Sequence, residues 1–523
     1  MKYKLIKIFS LFVIGSTIMG GCKKALEIEP RQSIDAATAL NSPDNVNAAI
    51  TGIYARLKSA RLYGRDLIAI PDALADNGFA TNKSGRLNPE ANNLPGAHFT
   101  GTLWQSAYAG INQINLILEA IDGIPGATAT EKNRWEGELS FLRALFYFNL
   151  ANAYAYMPGA IVPSQDMGGI PLLLKSTQTK DDAAIVLPSR SPIADVYAQI
   201  IKDFETANVR LSFSSGTDVN LANKAAAQAF LSRVHLYGKN YAQAKRWADS
   251  TIILTTSTSG SIGKIATSAG YINQWRVATH QETLFQIRFG LPSENIGVNE
   301  SLQTTYTTLA ELGNRSRTGG FGDLVPTLTL LTDLGITIGT INTTTGVITA
   351  AHNTTSFASA NIAIASRSAD VRNQLYELGT AGRGLPKVET TKFFGKNGAI
   401  NLDNVPVIRI SEIYLNRAEA MATPGSPVFN ETAALADLNT IITNRGLTAV
   451  TLTGTALYNE ILRQRRIELA FEGHRFFDLK RLGLDIVKGP HYNNLAFTDF
   501  RILAPIPIRE TDGNPNLRQN FGY

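Results

Sequence analysis

The stretch from residue 461 to 482 constrains the fold of this chain more than any other part of the sequence. Its leucines, isoleucines and phenylalanines recur at spacings of three and four residues, which predicts a helix with a broad apolar face. Exposed charge pairs on a helix contribute only about 0.2–0.5 kcal/mol each, so stability alone explains these charges poorly. The flanking phenylalanines indicate that several of the pairs are partly buried. The opposite charges stand three residues apart in four pairs, Arg465–Glu468, Glu472–Arg475, Arg475–Asp478 and Asp478–Arg481.

Gly473 lies inside this stretch and is expected either to kink the helix or to let another backbone approach closely. Two interpretations of the polar residues remain open. In the functional interpretation, Glu468, Glu472 and His474 are acid–base groups. In the structural interpretation, which we favour, the charges lock the helix onto its neighbours, where leaving one partner of a buried pair alone would cost about 3–5 kcal/mol.

The N-terminal residues have the pattern of a secretory signal. Three lysines precede a short apolar run, and Met-Gly-Gly then leads directly to Cys22. This pattern is typical of a lipoprotein, so we expect residues 1–21 to be cleaved and Cys22 to be acylated, with residues 22–40 as anchor and tether. An ordinary signal peptide followed by an incidental cysteine is the alternative.

Acylated Cys22 is the only membrane attachment that the sequence predicts. It is the only cysteine of the 523-residue chain, so no internal disulfide can form, and no later segment reaches 18 uninterrupted apolar residues. The formal charge of +6 includes the three signal lysines, and without them the chain is nearly neutral. It has no run of Lys or Arg, so no nucleic-acid partner is predicted.

The rest of the chain has the apolar spacing of helical hairpins. The pair of helices expected within 222–254 is close to a tetratricopeptide unit, in which small residues let two helices pack tightly. Between about 255 and 400, Thr, Ser, Asn and Gly dominate, and β-prone pieces at 283–289 and 335–349 predict a few small hairpins. The predicted helices lie at about 42–57, 104–121, 131–154, 193–211, 222–254, 407–421 and 431–444.

These features predict a mainly α fold, in which tetratricopeptide-like helical hairpins form a scaffold that carries a loop-rich, few-stranded insertion. We expect a single domain over residues 41–523. Its helical repeats would occupy about 41–254 and 402–482, the loop-rich ligand-binding region about 255–400, and a C-terminal block residues 483–523.

The block R-R-x-E-L-A-F-E-G-x-R-F-F-D-L-x-R at residues 465–481 resembles the most characteristic block of the SusD/RagB family of outer-membrane lipoproteins. In that family the block is scaffold and not catalytic. The resemblance is weakest across about 255–390, where we expect ligand specificity to lie. Similar blocks elsewhere are W-x3-Y-x2-I-x3-N-x2-L-E from residue 104, S-A-D-V-R at 368–372, the run at 392–420 and the closing segment 503–523.

The resemblance implies a glycan-binding lipoprotein on the outer face of the cell outer membrane. Such a protein would lie over a SusC-like TonB-dependent transporter and capture an oligosaccharide or polysaccharide for import. Three alternatives stay open. They are a peptide-binding member of the same family, a surface glycan hydrolase, and a tetratricopeptide scaffold that binds no small ligand.

The residues themselves give no support for catalysis. No H-E-x-x-H, G-x-S-x-G or P-loop motif is present, and the six histidines have no metal-ligand spacing. We therefore predict no enzyme, no metal site and no cofactor, and leave open whether a structural calcium ion assists. A pair of carboxylates that converges in space for glycoside hydrolysis also stays open.

Aromatic side chains in loops can stack on the apolar faces of sugar rings while polar neighbours bond the hydroxyl groups. Most aromatic residues here stand at helical spacing and are assigned to the core. For each loop aromatic, packing onto the scaffold is the alternative, and Trp275 is the leading candidate. The predicted ligand-binding residues are Trp275, Tyr271, Tyr306, Phe321, Phe79, Asn82, Arg86 and Arg315.

Overall fold

The fold is given by a computed structural model of the chain. The structure describes residues 40–99, 101–179, 182, 187–349 and 354–523. The predicted signal peptide, Cys22 and nearly all of the tether therefore lie outside the described residues.

Helix is the dominant secondary structure, as the apolar spacing predicts. Within the described ranges the 17 helices are α1 Pro43–Arg56, α2 Asp66–Leu74, α3 Asn88–Ala91, α4 Gly101–Ala120, α5 Ala129–Tyr154, α6 Ile193–Arg210, α7 Lys224–Tyr237, α8 Tyr241–Ser257, α9 Ser268–Gln274, α10 Leu302–Tyr306, α11 Leu328–Asp333, α12 Thr354–Ser359, α13 Ile410–Ala422, α14 Glu431–Asn444, α15 Gly454–Glu468, α16 Arg475–Leu482 and α17 Ile508–Gly513.

Local capping explains where several helices begin. The Ser42 hydroxyl accepts a hydrogen bond from the Asn45 amide at 3.3 Å, and Pro43 occupies the first turn of α1. Helix α5 begins with a capping box between Thr128 and Glu131. Such caps satisfy backbone N–H groups that no helical carbonyl can reach, so these starts are fixed by local sequence.

Neighbouring helices pack as hairpins, with α5 against α6, α7 against α8 and α13 against α14. A turn of Gly238, Lys239 and Asn240 separates α7 from α8, and Lys239 has a φ of 57°. Helix α7 is buried along its whole alanine-rich first half, which allows close packing. The predicted mainly helical scaffold is confirmed, whereas its detailed likeness to tetratricopeptide units stays a prediction.

Short strands interrupt the helices and form four small antiparallel sheets, with strand orders β1-β3, β2-β9, β5-β4-β6 and β7-β8. The strands expected at 283–289 and within 335–349 are present. The helix expected from residue 407 begins later, because residues 405–409 pair with β2. The strands are β1 Gly78–Ala80, β2 Thr283–Ile287, β3 Leu324–Pro326, β4 Ile336–Ile341, β5 Ile348–Thr349, β6 Ile362–Arg367, β7 Tyr376–Leu378, β8 Val388–Thr390 and β9 Val405–Arg409.

The β1–β3 pair joins parts of the chain that are far apart in sequence. Ala80 lies opposite Leu324, and the Thr81 amide extends the ladder by donating to the Asp323 carbonyl at 2.8 Å. The pairing therefore places residues 81–90, which we call the site loop, beside the segment that precedes β3.

The prediction of one helix over 461–482 is wrong. Helix α15 ends at Glu468 and α16 begins only at Arg475. Gly473, with a φ of 83°, lies in the turn between them, where a Cβ atom would stand 2.3 Å from the Leu67 carbonyl oxygen. The close backbone approach expected at this glycine is thus confirmed, and the glycine lies in the turn that separates the two helices.

Only one of the four predicted charge pairs forms among these described residues, because Arg465 and Arg475 bond carboxylates elsewhere. Arg481 Nε donates to Asp478 Oδ1 at 2.8 Å, and Asp478 also accepts from Arg465 Nε at 2.9 Å across the break. Arg475 pairs instead with Asp76, just beyond α2, at 2.6 Å. The charges thus lock the two helices onto each other and onto α2, as the structural interpretation predicts.

A buried ionic cluster, formed by Glu282, Arg409, Arg445, Glu468 and Glu472, ties α15 to β2 and β9. Glu468 Oε1 accepts from Arg445 Nη2 at 2.8 Å and from Arg409 Nη1 at 3.1 Å. Arg445 Nη2 also donates to Glu282 at 2.7 Å, and Arg409 Nε donates to Glu472 at 2.8 Å. Each carboxylate of the cluster therefore has a guanidinium partner within hydrogen-bond distance.

Candidate ligand-binding site

Three of the predicted ligand-binding aromatics are buried in the scaffold. Trp275 is 6% exposed, and Tyr271 and Tyr306 are 0% exposed. The guanidinium carbon of Arg445 lies 4.2 Å from the centre of the Tyr271 ring, and Phe471 packs edge-on against Tyr306 at 5.1 Å. These rings pack on the ionic cluster and on the turn after α15, so their expected exposure in loops is wrong.

The other predicted residues lie at or near the surface, but not all in one place. Phe79 is half-buried on β1, and Arg315 is exposed. Asn82 is exposed on the site loop, which also carries Arg86. Phe79 packs against Phe357 and His491, and Arg315 donates to the Gly379 carbonyl.

Arg86 and Phe321 meet beside the site loop. The guanidinium carbons of Arg86 and Arg383 lie 4.5 and 4.1 Å from the centre of the Phe321 ring. Arg383 is exposed and donates from Nε to the Gly320 carbonyl at 2.7 Å. A guanidinium over an aromatic face gains about 0.5–1 kcal/mol at an exposed site, so Arg86, Phe321 and Arg383 form a cationic aromatic patch.

Asp323 holds the site loop in place. Its Oδ2 accepts from Arg86 Nε at 3.1 Å and its Oδ1 from the Ser84 hydroxyl at 2.5 Å. Burial raises the pKa of Asp323, and the bonds from Ser84 and Arg86 offset only part of the rise. These bonds fix the orientation of the Arg86 side chain, whose guanidinium group lies at the edge of the cationic aromatic patch.

Next to the patch lies a cavity of about 290 Å³, which we call the site cavity. Its walls come from α2 and the residues before it, from the site loop with α3, and from α10 and the residue before β3. The cavity mixes charged side chains with aliphatic ones. It is lined by Arg61, Arg65, Asp66, Ile70, Gly85, Arg86, Leu87, Pro89, Glu90, Glu300, Thr305 and Asp323.

Most charges of the site cavity are paired with one another. Arg65 Nε donates to Asp66 at 2.7 Å, and Arg65 Nη1 bonds to Glu300. Arg61 Nη1 reaches Asp66 at 3.3 Å. With Arg86 bonded to Asp323, the three arginines of the lining are committed to three of its four carboxylates.

Glu90 is the remaining carboxylate. Its Oε2 atom is buried and has no hydrogen-bond partner among the described residues. Burial raises the pKa of Glu90, and the nearby Asp66 carboxylate adds to the rise. A buried acceptor without a partner is costly, so a donor that reached this atom would gain a hydrogen bond and remove that cost.

Glu389 joins the site loop to the segment that carries Phe321. This buried carboxylate accepts from the Thr308 amide at 2.6 Å and from the Thr307 hydroxyl at 2.9 Å, and it lies 3.4 Å from Lys83 Nζ. Gly322 has a φ of 58°, and a Cβ there would stand 2.7 Å from Glu389 Oε1. Only glycine fits this turn, so the approach of Phe321 to the site loop depends on it.

A larger cavity of about 470 Å³ lies at the start of α4. It is more apolar than the site cavity, and none of its described lining residues has a buried polar atom without a partner. We therefore place the candidate site at the smaller cavity. The larger cavity is lined by Trp104, Gln105, Tyr108, Ala109, Pro171, Leu173, Leu187, Pro188, Arg509, Glu510, Gly513, Asn514 and Leu517.

Of the predicted residues, Arg86 lines the site cavity and Phe321 lies in the cationic aromatic patch, whereas the carboxylates Glu90 and Asp323 are not among the predictions. A local signal for these acids is lacking, because α2, the site loop and the segment before β3 meet only through the β1–β3 pairing.

In the described part of the chain no three His, Cys, Asp or Glu side chains are grouped to hold a metal ion. None of its helices has the length and apolar character needed to cross a membrane.

Known proteins resemble this chain over most of its length. Residues 25–236 match a SusD-like family model described as starch-binding associating with outer membrane, and residues 380–523 match the SusD family model. SusD-like protein P38 of Formosa agariphila is 25% identical over 547 residues, which is 100% of both chains. The unmatched residues 237–379 include much of the region where the resemblance in sequence is weakest.

Solved structures share the fold. A SusD superfamily protein of Bacteroides thetaiotaomicron is 26% identical, with a TM-score of 0.73 over 92% of this chain and 99% of that chain. A laminarin-binding SusD-like protein, 20% identical, has a TM-score of 0.66 over 92% of this chain and 100% of that one. With the two family models covering more than half of the chain between them, this protein belongs to the SusD/RagB family, a SusD-like carbohydrate-binding family.

Proposed function

We propose that this protein binds a neutral glycan in the site cavity. The observation that carries the proposal is Glu90, a buried carboxylate oxygen without a partner on the wall of a cavity that is open to solvent. A sugar hydroxyl is the simplest donor for such an acceptor, and it brings no charge into the cavity.

The shape and lining of the site cavity suit a sugar ring. Ile70, Leu87 and Pro89 offer aliphatic surface to the apolar face of a pyranose, while arginine and carboxylate side chains can bond hydroxyl groups at its edge. At about 290 Å³ the cavity is near the lower limit of small-molecule pockets, which span about 300–1,000 Å³. It therefore fits the end or a short stretch of an oligosaccharide, with the cationic aromatic patch alongside for the next ring.

The charge of the cavity favours a neutral ligand over an acidic one. Three arginines face four carboxylates in the lining, and the unpaired one is Glu90. A uronate or sulfate group placed beside Glu90 would meet a like charge in a partly desolvated site, which is unfavourable.

We further propose that the protein works at the outer face of the outer membrane, tethered through an acylated Cys22, and passes its ligand to a SusC-like transporter. The signal-like N-terminus and the family description support this location. A tether raises the effective concentration of ligand near the transporter, so a weak site suffices for capture. In this proposal the protein holds the glycan without hydrolysing it, and the absence of new reducing ends after prolonged incubation would be the expected result.

The test is isothermal titration of the full mature chain with three probes: a laminarin oligosaccharide, a maltooligosaccharide and an acidic oligogalacturonide. We expect saturable binding of at least one neutral probe and none of the acidic one. Glu90→Gln removes the charge and puts an N–H donor in place of one acceptor oxygen, and Phe321→Ala removes the aromatic ring of the patch, so each should weaken binding by about tenfold or more.

Glu510→Gln, which changes a carboxylate of the larger cavity, is the matched control and should bind as the wild type does. If Glu510→Gln weakens binding and Glu90→Gln does not, the site has been placed in the wrong cavity. If only a peptide library or the acidic probe binds, the proposed ligand class is wrong.

A further inference from the structure

Lys488 is a buried cation that no carboxylate pairs within the described chain. It is 5% exposed, and its Nζ donates to three oxygens, the Ala91 carbonyl at 2.6 Å, the Asn93 side-chain oxygen at 2.7 Å and the Ala73 carbonyl at 2.8 Å. An ammonium group has three N–H bonds, so each donor of Lys488 has one acceptor. A charge held in this way, by backbone and amide oxygens only, fixes the positions of the elements that supply them.

Those elements are two walls of the site cavity. Ala73 lies in the last turn of α2, whose first turns carry Asp66 and Ile70, and Ala91 ends α3, which carries Pro89 and Glu90. We propose that Lys488, which touches no part of the cavity itself, is the positioning residue that sets the spacing of α2 and α3 and thereby the place of the Glu90 carboxylate. This inference rests on the proposed function, because it gives Lys488 a role in the binding of the same ligand.

The surroundings of Lys488 support a local and not a general role. Tyr492, four residues further along, receives a hydrogen bond on its hydroxyl from the Ala80 amide at 3.0 Å, so this C-terminal segment holds β1 as well. Asn93 is itself tied down, since its side-chain amide donates to the Leu74 carbonyl at 3.0 Å. All of these bonds converge on the chain between α2 and the end of α3.

Lys480 offers a matched comparison in the same chain. It is 1% exposed, and its Nζ donates to the Asn152 carbonyl of α5 at 2.7 Å. Burial lowers the pKa of both lysines to about 7, so the two resemble each other in electrostatic cost. Lys480 bonds the helical scaffold, whereas Lys488 bonds the walls of the site.

The experiment compares Lys488→Met with Lys480→Met in the full mature chain. Two quantities are measured: amide hydrogen exchange at residues 91–94, and the dissociation constant for the neutral oligosaccharide that the wild type binds. These amides are protected by bonds to residues 87–90, so they report the order of α3. We expect Lys488→Met to raise the exchange rate of these amides and the dissociation constant of the ligand by about tenfold each. Lys480→Met should change neither quantity by more than about twofold.

Asn93→Gly removes one acceptor of Lys488, together with the side-chain bond to the Leu74 carbonyl. Its backbone has a φ of 48°, which glycine adopts without strain. It provides a milder variant if Lys488→Met does not fold, and a smaller shift in the same direction is expected. Equal effects of Lys488→Met and Lys480→Met, or no effect of Lys488→Met and Asn93→Gly on residues 91–94, would overturn the proposal. If the wild type binds no oligosaccharide, the proposed function fails, while the exchange comparison still decides the role of Lys488.

Discussion

The ionic cluster beneath the helices and the site cavity at the surface are built from the same residue types, but their carboxylates differ in electrostatic state. Burial pushes the pKa of Glu468 upward, yet Arg445 and Arg409 outweigh it and hold the pKa well below the ordinary value. Burial also raises the pKa of Glu90, and there no cation reverses it. The number of guanidinium groups within bonding distance, and not burial alone, separates Glu468 from Glu90.

This difference distinguishes carboxylates that are already bonded by cations from a carboxylate with an oxygen that has no hydrogen-bond partner. In the ionic cluster Glu468 is bonded by three arginines and Glu472 by Arg409 and Lys392, so every carboxylate oxygen already has a cationic partner. In the site cavity Glu90 keeps a free acceptor oxygen. Clusters of buried charge are therefore not sites in themselves, and the unpaired member is the informative one.

The largest expected effect follows from breaking the ionic cluster. Arg409→Met leaves Glu468 and Glu472 with one cationic partner fewer inside the protein, so the free energy of unfolding should fall by about 3–5 kcal/mol. Urea denaturation at neutral pH measures it. Arg317→Met, which removes an exposed partner of Glu311, should cost at most about 1 kcal/mol, and equal losses for the two variants would contradict the comparison.

Acid should weaken the scaffold through carboxylates whose pKa is lowered in the folded state. Burial pushes the pKa of Glu412 upward, but the Arg233 guanidinium, whose Nε donates at 2.7 Å, lowers it to about 2. A lowered pKa in the folded state stabilises the fold above the unfolded pKa, and this contribution, on the order of 3 kcal/mol, is lost as the pH falls from about 5 toward 2.

Urea denaturation from pH 6 to pH 3 should show this decline for the wild type and a shallower one for Glu412→Gln, in which the group cannot titrate. The variant should also be less stable throughout, because Arg233 is left unpaired. An equally steep decline in both proteins would show that Glu412 does not contribute to the acid sensitivity.

Gly473→Ala should destabilise the break between α15 and α16 by about 2–3 kcal/mol, because the new Cβ meets the Leu67 carbonyl and the φ is unfavourable for alanine. Gly126→Ala is the control with a similar φ of 75° and nothing within 4 Å of the new Cβ. It should cost only about 1 kcal/mol. Thermal unfolding of both variants measures the difference, and similar losses would rule out the close approach as its cause.

The smallest effect on stability is expected at Glu90. Since burial raises the pKa of this carboxyl, its charge opposes folding at neutral pH, and Glu90→Gln should leave the free energy of unfolding unchanged or raise it by up to about 1 kcal/mol. Glu468→Gln should lower it, because three arginines donate to that carboxylate. A loss of stability for Glu90→Gln as large as that for Glu468→Gln would contradict the distinction between the two regions.

Local sequence is sufficient to predict the helices, but it does not reveal which residues pair with the charged side chains on them. Apolar spacing and caps predict α1 and α14 closely, and the phenylalanines beside the charged stretch indicate correctly that its charges are buried. Nothing within 461–482 reveals that Arg409 and Arg445 will supply the partners, since both lie outside that stretch. The break at Gly473 depends on the backbone of Leu67 and is equally remote.

The same limit explains the predictions of site residues. A loop-like context suggests exposure for Trp275, but His280, Phe393 and Arg409 pack against its ring. Phe321 was recognised as an aromatic in a loop, whereas Glu90 and Asp323 gain their significance only when β1 and β3 pair. Residue type indicates which side chains can contact a ligand, and long-range pairing decides which of them share a surface.

The most direct test of the account is hydrogen exchange of the full mature chain with and without a saturating neutral oligosaccharide. The account predicts ligand-dependent protection in the site loop and in residues 300–323, with no change around the larger cavity at residues 104–109 and 508–514. Protection confined to the larger cavity, or no protection anywhere at saturation, would contradict it.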